Sequence, residues 1–425
     1  ANNLAPPPKS PRSAPHSQSS FPPSAWAHPQ RRCPSPSGAS WSLYVSQRVQ
    51  RRQRVRGLWR RQRVQRRGPQ QSPEPPSLAD AMPAVHVAPM VAVTGRHFRY
   101  LLRCITKRTT LWTPMIAANQ LASRHQGAAA HILRFHPSEV GQGGLVAQLG
   151  GDDPRSMVKA ALRCQAAGYS EVNINLGCPS RSAQAGRHGA SLMRPGHHAS
   201  LMRLVREMRD KLQIPLSVKV RVGVDEHDSY EFMRDFVRSL HREGGCNRFV
   251  VHARKVLLGG LPPGLDTSFP AAPGDFVTTR QNRLDELVPL RYDWVHRLKR
   301  EAAEWGPGIE YMDINGGVRD LAGIRAQLAA GMDGVMIGRH ARDDPFFFSQ
   351  VDAAVFNEED AFKGLSPLEA RCKVLSEYAA YASREEAGGH ERSREELLKP
   401  MNRMFEGPEL ADEKAAFAQS LGRGR

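Results

Sequence analysis

Leu216-Ser217-Val218-Lys219-Val220 is a short apolar run broken by one cation, and its neighbours decide what it is. Upstream, Leu201, Leu204, Val205, Met208 and Leu212 recur at the i, i+3, i+4, i+7 and i+11 spacing of a helix with one buried stripe. Downstream, Phe232, Phe236, Val237 and Leu240 mark a second helix, which Gly244-Gly245 ends. A strand flanked by two amphipathic helices is one unit of a βα repeat built on a parallel sheet.

The same alternation extends in both directions from Met82 onward. Predicted strands are Val85 to Pro89, Leu111 to Met115, Leu145 to Leu149, Val172 to Leu176, Leu216 to Val220, Phe249 to Val251, Ile309 to Ile314 and Gly334 to Ile337. Asp153-Pro154 reads as an N-cap followed by proline at the first helical position. Eight strands with helices between them predict an α/β fold, a (β/α)8 TIM barrel over residues 82–350. Leu258 to Thr279, with Gly259-Gly260, Pro262-Pro263, Pro270 and Pro273, interrupts the rhythm as a long loop between strands six and seven. Residues 351–425 turn helical and charged, with Tyr378 and Leu397 among few large apolar residues, and are predicted to form a small all-helical domain.

The chain has 425 residues, 40% of them hydrophobic, enough for a large core and a second small domain. Its six cysteines form no C-x-x-C pair and no zinc-ligand spacing, which predicts a reducing compartment and no structural metal. No run of eighteen apolar residues occurs, so a soluble protein with no membrane partner is expected. The formal charge of +18 is concentrated in one tail: Lys9 and thirteen arginines precede Glu74, the first acidic residue. From Met82 onward 46 basic residues face 40 acidic ones, leaving +6, which suits contact with RNA over one patch.

Residues 1–81 are rich in Pro, Ser, Gln and Arg, with Arg51-Arg52-Gln53-Arg54-Val55 nearly repeated at Arg60-Arg61-Gln62-Arg63-Val64. Such a segment buries too little apolar surface to offset its ordering entropy, so a disordered tail is predicted. It reads as an organelle transit peptide or as a stretch outside the mature protein, ahead of a basic RNA-binding arm, because charge runs are more often solvated or removed than binding sites. The expected location is cytoplasmic, or chloroplast or mitochondrion if the tail is a transit peptide.

Distinctive polar residues gather where the predicted strands end, the face on which barrel enzymes keep their active sites. Pro89-Met90 ends the first, Gln148 the third, Asn175 and Cys178 follow the fourth, and Lys219 and Arg221 end the fifth. His252 and Arg254 end the sixth, Asn315-Gly316-Gly317 the seventh and Gly338-Arg339 the eighth. Glycines after strands seven and eight let backbone NH groups approach an anion, and Arg339 adds a charged donor to a phosphate. Taken alone, they read as ordinary turns. Lys219 interrupts an apolar strand, so its burial needs compensation, and a flavin ring that becomes anionic on reduction would supply it. Gln148 could bond the polar edge of the same ring.

Cys178 stands on the tight loop Asn175-Leu176-Gly177-Cys178-Pro179-Ser180, above the predicted barrel mouth. Free thiols have pKa values near ~8.5 and can serve as general acids at neutral pH. Cys164 and Cys246 read instead as small buried hydrophobes.

Together these motifs resemble the tRNA-dihydrouridine synthases, most closely the A subfamily that acts on the D-loop. The resemblance runs from Ala88-Pro89-Met90 to Gly338-Arg339 through Asn173-Ile174-Asn175-Leu176-Gly177-Cys178-Pro179-Ser180, Val218-Lys219-Val220-Arg221-Val222-Gly223 and Ile314-Asn315-Gly316-Gly317. Asp228-Ser229-Tyr230-Glu231-Phe232 with His252-Ala253-Arg254-Lys255 points to the A subfamily. The resemblance implies FMN as prosthetic group, held by Pro89, Met90, Gln148, Lys219, His252, Asn315, Gly316, Gly317, Gly338 and Arg339, with NADPH as reductant. It implies hydride transfer to C6 of a D-loop uridine, at position 20 or 20a of the tRNA, while Cys178 protonates C5 from the opposite side. Asn175, Arg221, Arg254 and Lys255 would meet the unstacked base and its phosphates, and Lys399 and Arg403 the tRNA body, in a monomeric enzyme.

The chain departs from that pattern at Ser191, where a second cysteine is common, and at Thr113-Pro114-Met115, where Thr-Glu-Met is usual. Leu398-Lys399-Pro400-Met401-Asn402-Arg403-Met404-Phe405 is similar, without the Arg- and Trp-rich stretch expected after it. Two other readings stay open: a flavin-dependent dehydrogenase of a free pyrimidine, and an inactive RNA-binding barrel.

Overall fold

The structure, a computed structural model, describes residues 84–405 apart from 124, 186, 259–287, 307 and 392. The predicted tail, nearly all of the long loop after the sixth strand and the end of the C-terminal segment lie outside the described residues. Eight parallel strands are β1 (Ala84–Val87), β2 (Leu111–Trp112), β3 (Leu145–Gly150), β4 (Glu171–Asn175), β5 (Leu216–Arg221), β6 (Arg248–His252), β7 (Tyr311–Asn315) and β8 (Gly334–Ile337). Neighbours run in the order β1-β8-β7-β6-β5-β4-β3-β2. The ends meet where Thr110, just before β2, accepts from Val87 N at 3.0 Å and donates to Val85 O at 2.9 Å, closing a (β/α)8 barrel.

All eight predicted strands recur, the eighth with its predicted bounds and the others with ends displaced by one to three residues. The second stops at Trp112, and the chain regains pairing beside β3 only at Ile116–Ala117, one residue out of register, with Pro114 in the irregular stretch between. The seventh begins at Tyr311 and reaches Asn315, which is registered against His252.

The helices that matter here are α1 (Arg96–Ile105), α2 (Pro154–Ala167), α3 (His198–Lys211), α4 (Tyr230–Arg242), α5 (Tyr292–Ala302), α6 (Leu321–Ala329), α7 (Arg339–Asp343) and α8 (Pro367–Ala387). The Asp153 side chain accepts from Ser156 N at the start of α2, and Gly168, at φ 93°, ends it. The stripe expected of α3 is buried: Leu201, Leu204, Val205 and Met208 face inward together with Met202.

The sheet separates two apolar compartments. The larger lies between strands and helices, and the smaller is inside the barrel, where Ala88, Trp112, Val146, Val250 and Met336 meet. Two of the strands that enclose the small cluster also place Glu171, Asn173 and Ser217 out of solvent, so polar pairing has to hold part of the interior together.

α8 opens with a reciprocal cap between Ser366 and Glu369, then lies against α1. Tyr381 stacks on Tyr100 with ring centroids 3.8 Å apart, and its hydroxyl is 2.9 Å from His97 Nδ1. Arg96 pairs with Glu385 at 2.5 Å on the same seam. Val374, Leu375 and Tyr378 of α8 belong to the same core cluster as the barrel helices. Among the described residues no helix is long and apolar enough to cross a membrane.

The α1–α8 seam should respond in two steps. Tyr381→Phe keeps the stack and loses one buried hydrogen bond, so it should cost about 1 kcal/mol. Tyr381→Ala removes the ring and should cost roughly 3–5 kcal/mol. Urea unfolding of both variants checks this, and equal losses would mean that the stack contributes nothing beyond the hydroxyl.

Candidate functional site

Because every strand is parallel, all eight carboxyl ends open on one rim, and a cavity of about 850 Å³ lies there. Cys178, Lys219, His252, Gly316, Gly317 and Gly338 line it together. Pro89, Met90, Gln148, Asn175, Arg221, Arg254, Asn315 and Arg339 complete the predicted wall. Three predicted residues lie elsewhere. Lys255 Nζ meets Asp228 Oδ2 at 2.7 Å, outside the cavity lining. Lys399 and Arg403 are exposed on the short 3-10 turn Lys399–Arg403, beyond α8.

The turn that carries Cys178 is organised by Asn175. Its Oδ1 accepts from Gly177 N at 3.0 Å and from Cys178 N at 2.9 Å, so one side chain sets the loop's exit from β4. Farther along, Ala190 N donates to Cys178 O at 3.0 Å and closes the loop. Cys178 is half-buried, and its thiol donates to Ser180 Oγ at 3.3 Å. Cys164 and Cys246 are buried as expected, and burial pushes both thiols up to about 12.

Among the described residues the cavity is lined by two carboxylates, Asp152 and Asp153, against Lys219, Arg221, Arg254, Arg319, Arg339 and Arg342. Lys219 donates to Asn315 Oδ1 at 2.9 Å, and Asn315 Nδ2 donates in turn to Met336 O at 2.8 Å. Burial, with Arg221 close by, brings the Lys219 amine down to about 7. Arg221 donates from Nε to Gly177 O at 2.7 Å, tying β5 to the Cys178 loop. Burial comes first in holding the His252 imidazole well below its ordinary range, and Arg221, Lys219, Arg254 and Arg339 add to it. His252 is therefore a neutral hydrogen-bonding group within a ring of cations. Such a site favours an electron-rich or anionic guest.

The two glycines after β7 are there for steric reasons. Gly316 has φ 121°, and a Cβ on it would come 2.7 Å from Leu290 and 3.0 Å from His252. Gly317 has φ 75°, and its Cβ would meet the Tyr292 hydroxyl at 2.6 Å. The helix after β8 begins at Arg339 itself, with Gly338 as its N-cap. The helix after β7 starts only at Leu321, and its first turn already donates from Gly323 N to Asp320. The helix N-terminus after β7 is thus partly occupied by the chain's own carboxylate.

Other lining residues escaped the sequence reading. His340 and Arg342 follow Arg339 on α7, Arg319 follows the glycine pair, and His188 stands on the loop that returns to Cys178. The signal for the first two was their place within one helical turn of a strand end. At the positions that depart from the family pattern, Ser191 Oγ donates to His188 O at 3.1 Å, and Thr113, next to Pro114, accepts from Gln148 N at 3.0 Å. Among the described residues no group of His, Cys, Asp and Glu could hold a metal ion.

A family model described as dihydrouridine synthase matches residues 86–415. The chain is similar to the tRNA-dihydrouridine(20/20a) synthase of Shigella flexneri, at 38% identity over 274 residues, 64% of this chain and 71% of that protein. It is 38% identical to the protein of the same name from Escherichia coli strain K12, over 64% of this chain and 70% of that one. With that of Vibrio cholerae serotype O1 it shares 34% identity over 303 residues, 71% of this chain and 81% of that one.

Two outcomes follow from this geometry. Lys219 binds its proton less readily folded than unfolded, so stability should rise with pH between about 7 in the folded state and about 10.4 in the unfolded chain. The gap in unfolding free energy between the parent and Lys219→Met, measured without ligand, should therefore shift toward the parent across that window; parallel curves would contradict it. Gly317→Ala should cost about 1–2 kcal/mol for its left-handed backbone and also displace Tyr292. Gly338→Ala, whose Cβ would meet no atom nearer than 3.5 Å but whose backbone stands at φ −106° and ψ −93°, outside the usual regions, should lose less stability in urea than Gly317→Ala.

Proposed function

The chain belongs to the dihydrouridine synthase family, and from that premise we propose that it reduces a uridine of tRNA, at position 20 or 20a of the D-loop, to 5,6-dihydrouridine. The observation that carries the reading is the meeting of Cys178, Lys219, His252 and the glycine turns in one cavity at the barrel mouth.

The residues present fit a flavin mononucleotide. Gly316 and Gly317 bring bare backbone to the cavity wall at φ 121° and 75°, where no side chain could stand, and Arg339 is at the neighbouring strand end, a combination suited to a phosphate. Lys219, with an amide and no carboxylate as its partner among the described residues, suits a ring that gains negative charge on reduction. Pro89, Met90, Gln148, His252, Asn315 and Gly338 would complete the cradle. A flavin held by these residues would bring hydride chemistry to C6 of the uracil, with NADPH as the source of the electrons.

The chain's own residues do the rest. Hydride addition leaves enolate charge over C5 and O4, which an acid has to discharge. Cys178 gives its thiol proton to C5 and recovers one from solvent. Neutral His252 can donate a hydrogen bond without adding another positive charge. Arg221 holds the Cys178 loop through Gly177 O, and Arg254 faces the incoming nucleotide from β6. The base has to leave its stack to reach this depth. Lys399 and Arg403, exposed beyond α8, meet the tRNA body by charge, and Lys255 can exchange Asp228 for a phosphate.

Purified protein with NADPH and unmodified tRNA should form dihydrouridine, read by mass spectrometry of the digested RNA. Cys178→Ala should keep the parent's flavin content while its rate falls by roughly 10²–10⁴. If Cys178→Ala works at the parent rate, the assigned acid is wrong; if the parent makes no dihydrouridine, the substrate is.

A further inference from the structure

The cavity is joined to the opposite face of the barrel by an unbroken line of buried hydrogen bonds. Glu171, the first residue of β4, is 6% exposed and lies outside the cavity lining. It accepts from Arg248 at 2.9 Å, from the Tyr311 hydroxyl at 2.8 Å and from Ser217 Oγ. Ser217 Oγ accepts from Asn173 Nδ2 at 2.8 Å, and Asn173 Oδ1 accepts from Gln148 Nε2 at 2.9 Å. Gln148 Oε1 then accepts from Asn175 Nδ2 at 2.8 Å. The line ends at Asn175 Oδ1, which receives the NH groups of Gly177 and Cys178.

Each step forces the next. A carboxylate paired with an arginine has no proton to give, so Ser217 must spend its single proton on Glu171. Its oxygen can then only accept, which turns the NH2 of Asn173 toward it. That leaves Asn173 Oδ1 facing Gln148, and the same logic turns Gln148 and then Asn175. Amide side chains are nearly symmetric in shape, so packing alone does not choose their sense. Were the line reversed, Asn175 would present NH2 to two backbone NH groups, leaving buried donors unpaired.

We infer that Glu171, acting through Ser217, is a positioning residue that sets the amide sense of Gln148 and Asn175 and so holds the Cys178 loop. It works from about 13 Å away, four residues down the strand. The inference rests on the proposed reaction at Cys178. Glu171→Gln is isosteric and can donate to Ser217, which permits the reversed line. Ser217→Ala cuts it.

Both variants, assayed as flavin-loaded protein on unmodified tRNA, should lose about 10- to 100-fold in kcat, the cost of unpaired buried donors, while KM for tRNA stays near the parent's. The double variant should be no slower than the slower single one, because the line is cut only once. Parent-like kcat in Glu171→Gln, effects that multiply in the double variant, or a loss confined to KM would overturn the inference. A second readout is independent of turnover. Alkylation by iodoacetamide, followed peptide by peptide, should change its rate at Cys178 in both variants and stay constant at the half-buried Cys104 and Cys372. An unchanged rate at Cys178 would overturn the inference even if the parent reduces no uridine, an outcome that would separately defeat the proposed reaction.

Discussion

The organisation of this molecule follows from one uncompensated cation. Lys219 projects into a barrel whose strands all end on the same side, and no carboxylate pairs with it among the described residues. A buried amine in that state loses much of its hold on its proton, and the cost is accepted where a guest can restore the balance. Burial comes first in keeping His252 uncharged, and Arg221, Lys219, Arg254 and Arg339 add to it. The cavity thus concentrates positive charge on its wall, while Gln148, Asn173 and Ser217 deeper in the barrel pair with one another.

That pairing is achieved differently at the two ends of the barrel. At the rim, polar groups face space. Toward the opposite face, Glu171 collects Arg248, Tyr311 and Ser217 within hydrogen-bond reach, and the amides above it are satisfied in turn. Val146, Val250, Met336 and Trp112 fill the volume between. The interior therefore combines an apolar plug with a polar column, and the column reaches the loop where chemistry is proposed.

Much of this was legible in the sequence because a parallel barrel repeats one local signal. Strand existence and order came from apolar runs such as Leu216 to Val220, and the rim came from asking what each run ended on. Boundaries failed where the ladder changed register, as it does around Pro114 where β2 ends. The polar column was not legible, since Ser217 and Gln148 reach Asn173 only through strand register, and register is a property of the closed sheet. His340 and Arg342 were missed because α7 starts at the strand end itself, so the rim continues into a helix. The seam between α1 and α8 rests on His97 and Tyr100 meeting Tyr381, which is far from both in sequence.

One property of the ring remains. Ala84 is registered against Gly334, so the first and last strands of the barrel are neighbours. Pro89 and Arg339 stand on those two strands' exits, on adjoining parts of the same wall. Long-range pairing of this kind is slow, because loop-closure entropy is met before any contact repays it. No contiguous fragment shorter than the whole circuit contains an intact pocket. On a ribosome, the binding hollow would come into being in a single late event, when the eighth strand emerges and finds the first.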